Sequence, residues 1–242
     1  MQLRQIHDIQ YQMLPGTQRR TTDIVIERNG VVQVRAPTHM TPGQVDVTPE
    51  QVDATVYSKR LWIYRNLAEW RDLNVSHLSR EWVNGETFLY LGSGYRLLLV
   101  NEQDEALKLT DGRFQLLRSI LQASGRFGAG SVFVNWFKQK GQARITARVR
   151  HHAPMVAVHP RAIEVKELGF RWASCQPSGN LHFHWKCMVA PLTVIDYVVV
   201  HELCHLRHGD HSDAFWNEVD KVMPDYRERK EWLRQHGEGL TL

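Results

Sequence analysis

Cysteine is scarce in this chain. There are three in 242 residues, Cys175, Cys187 and Cys204, an odd number and widely spaced. That argues against a disulfide framework, and the spacing of Cys175 and Cys187 fits no common zinc finger. No run approaches the ~18 apolar residues of a membrane-spanning helix. The first residues, Met1-Gln2-Leu3-Arg4-Gln5-Ile6-His7, carry no apolar signal core. A soluble cytoplasmic protein without a membrane partner is the expectation. No internal repeat or low-complexity tract is visible. Charge of one sign is not abundant either: the formal excess is +4, which permits nucleic-acid contact without requiring it. The stretch from Gly125 to Gly130 holds three glycines, but the Walker pattern and its lysine are missing, so it reads as a flexible connection and not as a phosphate cradle.

What is present is ordinary for a globular chain: 43% hydrophobic and 23% charged residues. The length suits one large domain or two small ones. The first part is β-rich. Residues 22–28 and 31–36 flank Asn29-Gly30, a hairpin signal. Thr48-Pro49-Glu50-Gln51 has the form of a capping box with proline at the first helical position. Val52, Val56, Ile63, Leu67 and Trp70 recur at helical spacing, which predicts one helix over 49–71. Two more hairpins are expected over 88–100, turning at Gly92-Ser93-Gly94, and 107–117, turning at Asp111-Gly112. A helix follows over 132–151, interrupted at Gly141, then strands at 155–158 and 163–168. Residues 170–175 and 181–189 flank a turn at Pro177-Ser178-Gly179-Asn180 that would set Cys175 opposite His182. In the second of these strands Leu181, Phe183, Trp185, Cys187 and Val189 alternate with His182, His184, Lys186 and Met188, the pattern of a half-buried strand. An edge position beside a cleft would turn His182 and His184 toward substrate or solvent.

The sharpest signal is His201-Glu202-Leu203-Cys204-His205. With 13 histidines and 14 glutamates, roughly 0.04 matches to His-Glu-x-x-His are expected by chance. The preceding Val194 to Val200 is apolar almost all round, so the pattern sits at the end of a buried helix, with a start near Pro191, Thr193 and Asp196 and a stop at Gly209. Residues four apart share a helix face, so both imidazoles can reach one ion at Zn–N distances near ~2.0–2.1 Å. Glu202 lies one residue round, where it can serve as a general base. A third ligand is needed. His208 is about 10.5 Å of helical rise from His201, too far to share the ion. His211 lies past Gly209, where the chain can turn back, and is favoured; Glu218 and Asp225 are the carboxylate alternatives. The spacing His201-x3-His205-x5-His211 equals that of metzincins, although His208 stands where those have glycine. Cys204 points away from the ligand pair, into the core.

Helices are also expected after Ser212 or Asp213, with Phe215, Trp216, Val219 and Val222 apolar, and from Pro224 to Gly237, both covering the site. Met223 reads as a core methionine. Tyr226 is a candidate oxyanion stabiliser, although packing is its simpler role. Arg144, Arg148 and Arg150, with Arg227, Arg229, Lys230 and Arg234, are candidates for a basic face, or for solvated helix surfaces.

Arg171-Trp172-Ala173-Ser174-Cys175, Gly179-Asn180-Leu181, Val198 to Leu206, His211-Ser212 with Phe215-Trp216, and Met223-Pro224-Asp225-Tyr226-Arg227 together resemble the YgjP-like metallopeptidase family, which is related to the SprT-like zincins. Two departures stand out: Ala173 where the family usually has glycine, and the glycines of 125–130 in what is commonly a continuous helix. The resemblance implies an α+β fold: a zincin-like catalytic domain over 119–242, its active-site helix against a mixed or antiparallel sheet, preceded by a β-rich region over 1–118. It implies Zn2+ on residues matching His201, His205 and His211 and Glu202 as the base, but no known substrate; peptide or protein substrates are the expectation for such a hydrolytic centre. Two other functions stay open from the residues alone: a metal-dependent hydrolase of nucleotides or other phosphoanhydrides, and a DNA-associated SprT-like protein. Neither the cleavage specificity nor the oligomeric state is encoded in these patterns.

Overall fold

The computed structural model describes residues 2–17, 22–27, 30–37, 47–73, 80–169, 171–240 and 242. The chain divides into two compact units, Met1–Ser76 and His77–Leu242.

In the first unit, β1 (Gln2–Ile6), β2 (Ile9–Thr17), β3 (Asp23–Ile26) and β4 (Val32–Pro37) form a sheet in the order β1-β2-β4-β3. The two hairpins join through a parallel β2–β4 pair. The Gly30 end of the expected Asn29-Gly30 turn adopts φ 84°, a conformation that favours glycine; Asn29 lies outside the described residues, as do Pro42 and Gly43 of the following loop. The Thr48 capping box forms as predicted, with Pro49 at the first position. The expected single helix is two, α1 (Pro49–Ser58) and α2 (Arg60–Leu73). Lys59 interrupts them near the bridge region, at φ −94° and ψ 7°. Val52, Val56 and Ile63 still share one buried cluster with Tyr11, Val32 and Val34, so the apolar period survives the break.

The second unit opens with β5 (Thr87–Tyr90), β6 (Ser93–Val100), β7 (Leu107–Thr110) and β8 (Arg113–Leu117), ordered β5-β6-β8-β7 around a parallel β6–β8 pair. Both hairpins turn through two residues with positive φ, Leu91-Gly92 and Asp111-Gly112, the geometry of type I′ turns. The first turn therefore falls earlier than Gly92-Ser93-Gly94. A Cβ on Gly92 would lie 2.9 Å from the backbone of Pro191, so this turn seats the start of the helix that carries His201 and His205.

Next comes α3 (Arg118–Val156), with one non-helical residue, Gly125 at φ 57° and ψ −154°. The expected flexible connection is thus helical apart from a kink at Gly125. Gly141 does not interrupt the helix either. It lets the backbone pack closely: a Cβ there would meet Met188 Cγ at 3.0 Å and Val165 Cγ1 at 3.3 Å. The helix continues through Pro154 to Val156 and closes at Ala157, φ 55°, so the strand expected over 155–158 is absent. Its aromatic face, Phe133, Trp136 and Phe137, packs on Phe88 and Phe114 from the sheet and on Trp185. All belong to one buried cluster that also contains the helix carrying His201 and His205. This is why the expected boundary at 118 falls inside the second unit: the β5–β8 sheet has no core apart from α3.

A mixed three-stranded sheet follows: β9 (Ala162–Lys166), β10 (Ala173–Cys175) and β11 (Asn180–His184), in the order β10-β11-β9. Cys175 pairs with Leu181 and Ser174 with His182, one residue off the expected register. Gln176 donates its N–H to Asn180 and accepts from Gly179, which tightens the turn. Residues Trp185–Val189 leave the strand as a 3-10 turn, started by the Lys186 N–H donating to His184 Nδ1. The chain ends with α4 (Leu192–His205), α5 (Asp213–Val222), α6 (Tyr226–His236) and a short 3-10 turn. No helix among the described residues is long and apolar enough to cross a membrane.

Candidate metal centre

The α4 helix is buried on nearly every side, through Val194, Ile195, Val198, Val199, Val200 and Leu203. Burial of this kind fixes its rotation and depth, and so fixes the two histidines of its last turns. The helix stops at His205, four residues before the predicted Gly209. His208 consequently lies outside it, and contributes its carbonyl: His205 Nδ1 donates to His208 O at 3.0 Å. That bond leaves the His205 Nε2 lone pair free. The chain then reverses. Asp210 accepts from the Ser212 N–H, and His211 is returned to the end of α4.

The three Nε2 atoms converge. His201 to His205 is 3.2 Å, His205 to His211 is 3.2 Å, and His211 to His201 is 3.1 Å. A tetrahedral ion with Zn–N bonds of ~2.0–2.1 Å needs N···N separations of about 3.3–3.4 Å. The donor set therefore fits such an ion. Burial and the neighbouring His205 and His211 rings lower the His201 pKa to about 3, so this imidazole stays neutral, as a ligand must. Among the described residues these three histidines are the group whose donor atoms lie within 4.8 Å of one another. The alternative third ligands are engaged elsewhere: Glu218 pairs with Arg207 at 3.0 Å and Asp225 with Arg229 at 2.7 Å.

Glu202 is buried beside the ligands, and its Oε2 has no hydrogen-bond partner. Burial raises its pKa to about 8, against the Arg171 charge and the Cys175 backbone amide, which favour the ionised form. A cation close by would draw it down again. Cys175 lies on β10, an edge strand of the small sheet, so this amide dipole reaches the carboxylate from the sheet. The expected edge strand, β11, is central. Its two histidines are both buried and do not face solvent. His184 is buried and donates Nε2 to Glu167 at 2.7 Å, and the buried His182 lies 3.4 Å from Glu164. The sequence pattern missed this because both faces of β11 are covered.

Helix α5 supplies an aromatic wall. Phe215 packs on His205 and His201 at ring distances of 4.5 and 4.9 Å. Trp216 stacks on His211 at 5.6 Å and on Tyr226 at 5.3 Å. Tyr226, Met223 and Cys204 are buried. Two groups were not foreseen as partners: Asp196 on α4 and Arg148 on α3 form a partly buried bidentate ion pair, 2.6 and 2.8 Å. The candidate basic cations are mostly compensated: besides Arg148, Arg227 pairs with Asp220 and Arg234 with Glu231.

An α+β domain whose buried helix presents two of three convergent imidazoles, with a carboxylate alongside, belongs to the class of metallopeptidases. The chain is a member of the YgjP-like family, whose metallopeptidase domain matches residues 20–236. A solved structure, the metallopeptidase zymogen of Pyrococcus abyssi abylysin, is similar at 21% identity and a TM-score of 0.35, over 37% of this chain and 90% of that one. No curated protein matches the chain.

Proposed function

We propose that this protein hydrolyses peptide bonds with a zinc ion held by His201, His205 and His211 and with Glu202 as general base. The observation that carries the reading is the triangle of Nε2 atoms, 3.1–3.2 Å on each side, at the end of a helix that also carries a buried carboxylate, Glu202, directly after His201. When bound, zinc supplies Lewis acidity, polarising a carbonyl and acidifying water. Glu202 accepts the proton of the attacking water and passes it to the leaving amine. His205 holds its ligating tautomer through the His208 carbonyl. Phe215 and Trp216 pack against the imidazoles and keep them in place.

The three histidines predict a large stabilisation by metal. Zinc at about 100 times its Kd adds about 2.7 kcal/mol, or roughly 5–11 °C in the melting temperature of a unit this size. His211→Ala should weaken zinc binding by roughly a hundredfold and abolish the shift. A melting temperature of the unsubstituted protein indifferent to zinc would remove the metal assignment. Cleavage of nucleotides without cleavage of unfolded proteins would move the same centre to phosphoanhydride chemistry.

Substrate backbone is assigned to the free edge of β10. The opposite edge is closed: Gln142 donates to Ile163 O and accepts from Val165 N, both at 2.9 Å, and so occupies the β9 edge as a strand would. At the β10 edge the Cys175 amide already addresses Glu202. An extended peptide added there gains alternate backbone hydrogen bonds. Peptides N-methylated at alternate amides away from the scissile bond should lose cleavage in one register and keep it in the other. Equal cleavage of both would exclude strand addition.

A further inference from the structure

We propose that Lys230 receives a carboxylate of the peptide substrate, giving the site a preference for anionic peptides. The inference rests on the peptidase reading above and assigns its substrate class.

Helix α6 carries four cations: Arg227, Arg229, Lys230 and Arg234. Three are neutralised. Arg227 pairs with Asp220 at 3.2 Å, Arg229 with Asp225 at 2.7 Å, and Arg234 with Glu231 at 2.5 Å. Among the described residues Lys230 has no carboxylate at ion-pair distance. Its ammonium instead lies 4.1 Å over the Trp216 ring. That ring packs on His211 at 5.6 Å and on His201 at 5.9 Å. One indole therefore separates the uncompensated charge from two of the three imidazoles. Partial burial lowers the Lys230 pKa itself, although the residue is exposed. An ammonium both accessible and incompletely hydrated gains from a bound anion.

The surroundings have the same sign. Three neutral imidazoles offset none of the charge of a divalent ion, and Glu202 offsets at most one unit. Arg171 adds a further positive charge within reach of Glu202. A carboxylate meeting Lys230 would reduce this positive excess. It can come from an acidic side chain or from a free C-terminus, and the two sources are separable by experiment.

The test uses the full chain carrying Glu202→Gln, loaded with zinc, so that peptides bind without being consumed. Three fluorescent peptides of one length are titrated by anisotropy: an acidic peptide with an amidated C-terminus, a neutral peptide with a free C-terminus, and a neutral amidated peptide. At least one anionic peptide should bind roughly fivefold to tenfold more tightly than the neutral amidated one. Whichever binds better identifies the source of the carboxylate. Added Lys230→Met should remove the advantage without changing the melting temperature, and Lys230→Arg should retain it. High salt should erase it in the protein with Lys230 intact, a readout that needs no substitution at this position. Equal binding of all three peptides, or an advantage that persists in Lys230→Met, overturns the role of Lys230 and leaves the peptidase reading standing. Failure to bind any peptide overturns both.

Discussion

Glu202→Gln should leave zinc content and folding intact while lowering kcat for peptide hydrolysis roughly a thousandfold, within the ~10²–10⁴ range of general acid–base catalysis. The substitution keeps the shape of the side chain and removes its basicity. Glu202 follows His201 directly on α4, so it shares the same rigid backbone as two proposed ligands but points beside them. Its Oε2 is buried without a protein partner, which is costly unless the group has something else to bind. The Cys175 amide favours the ionised carboxylate from the sheet edge. A glutamine fills the same space beside the imidazoles, so KM should change far less than kcat. The measurement is metal content and steady-state kinetics on the same preparation. A variant retaining more than about a tenth of the rate would take the proton-transfer role away from Glu202.

The parts of this protein that were legible in its sequence are those set by near neighbours. The capping box at Thr48 depends on four consecutive residues. The hairpin at Asp111-Gly112 depends on two residues that tolerate positive φ. The convergence of His201 and His205 depends on a four-residue spacing along one helix. His211 required only that the chain reverse soon after. What was not legible depended on distant partners. Glycines 128, 130 and 141 lower helix propensity, yet α3 runs through them because Gly141 is where Met188 and Val165 approach its backbone. The alternation over 181–189 describes a half-buried strand, but β11 is covered on both faces and its pattern continues into a 3-10 turn. The central position of β11 follows from a parallel pairing with β9, and parallel pairing leaves no turn signature. The parallel β2–β4 and β6–β8 pairs were hidden for the same reason. Arg148 looked like one of several surface cations, because nothing local reveals that Asp196, on another helix, meets it.

That pair carries the second large effect. Asp196→Ala should destabilise the second unit by about 3–4 kcal/mol, read as a lower melting temperature or urea midpoint. Arg148 Nε and Nη2 both donate to the Asp196 carboxylate, the geometry in which such pairs are strongest. His152 lies 3.5 Å from the same carboxylate. Removing the acid leaves a guanidinium in a low-dielectric setting, with its side chain only 25% exposed. Replacing both partners together, Arg148→Met with Asp196→Leu, should recover much of the loss, since the penalty comes from the orphaned charge and not from the missing attraction. The pH dependence separates this account from simple loss of packing. Burial pushes the Asp196 carboxyl up, but hydrogen bonds from His152 and Arg148 outweigh it and hold the pKa below its ordinary value. A depressed folded pKa stabilises above the unfolded value, near ~4, and the contribution disappears as pH falls through the folded value. The gap between the unsubstituted protein and Asp196→Ala should therefore be full at neutral pH and shrink below about pH 4. The pair joins α4 to α3 five residues before His201, so its loss should also loosen the proposed zinc site, and zinc affinity should fall with stability. A gap under 1 kcal/mol at neutral pH, or one that stays constant into acid, would mean that α4 is held by its apolar burial alone.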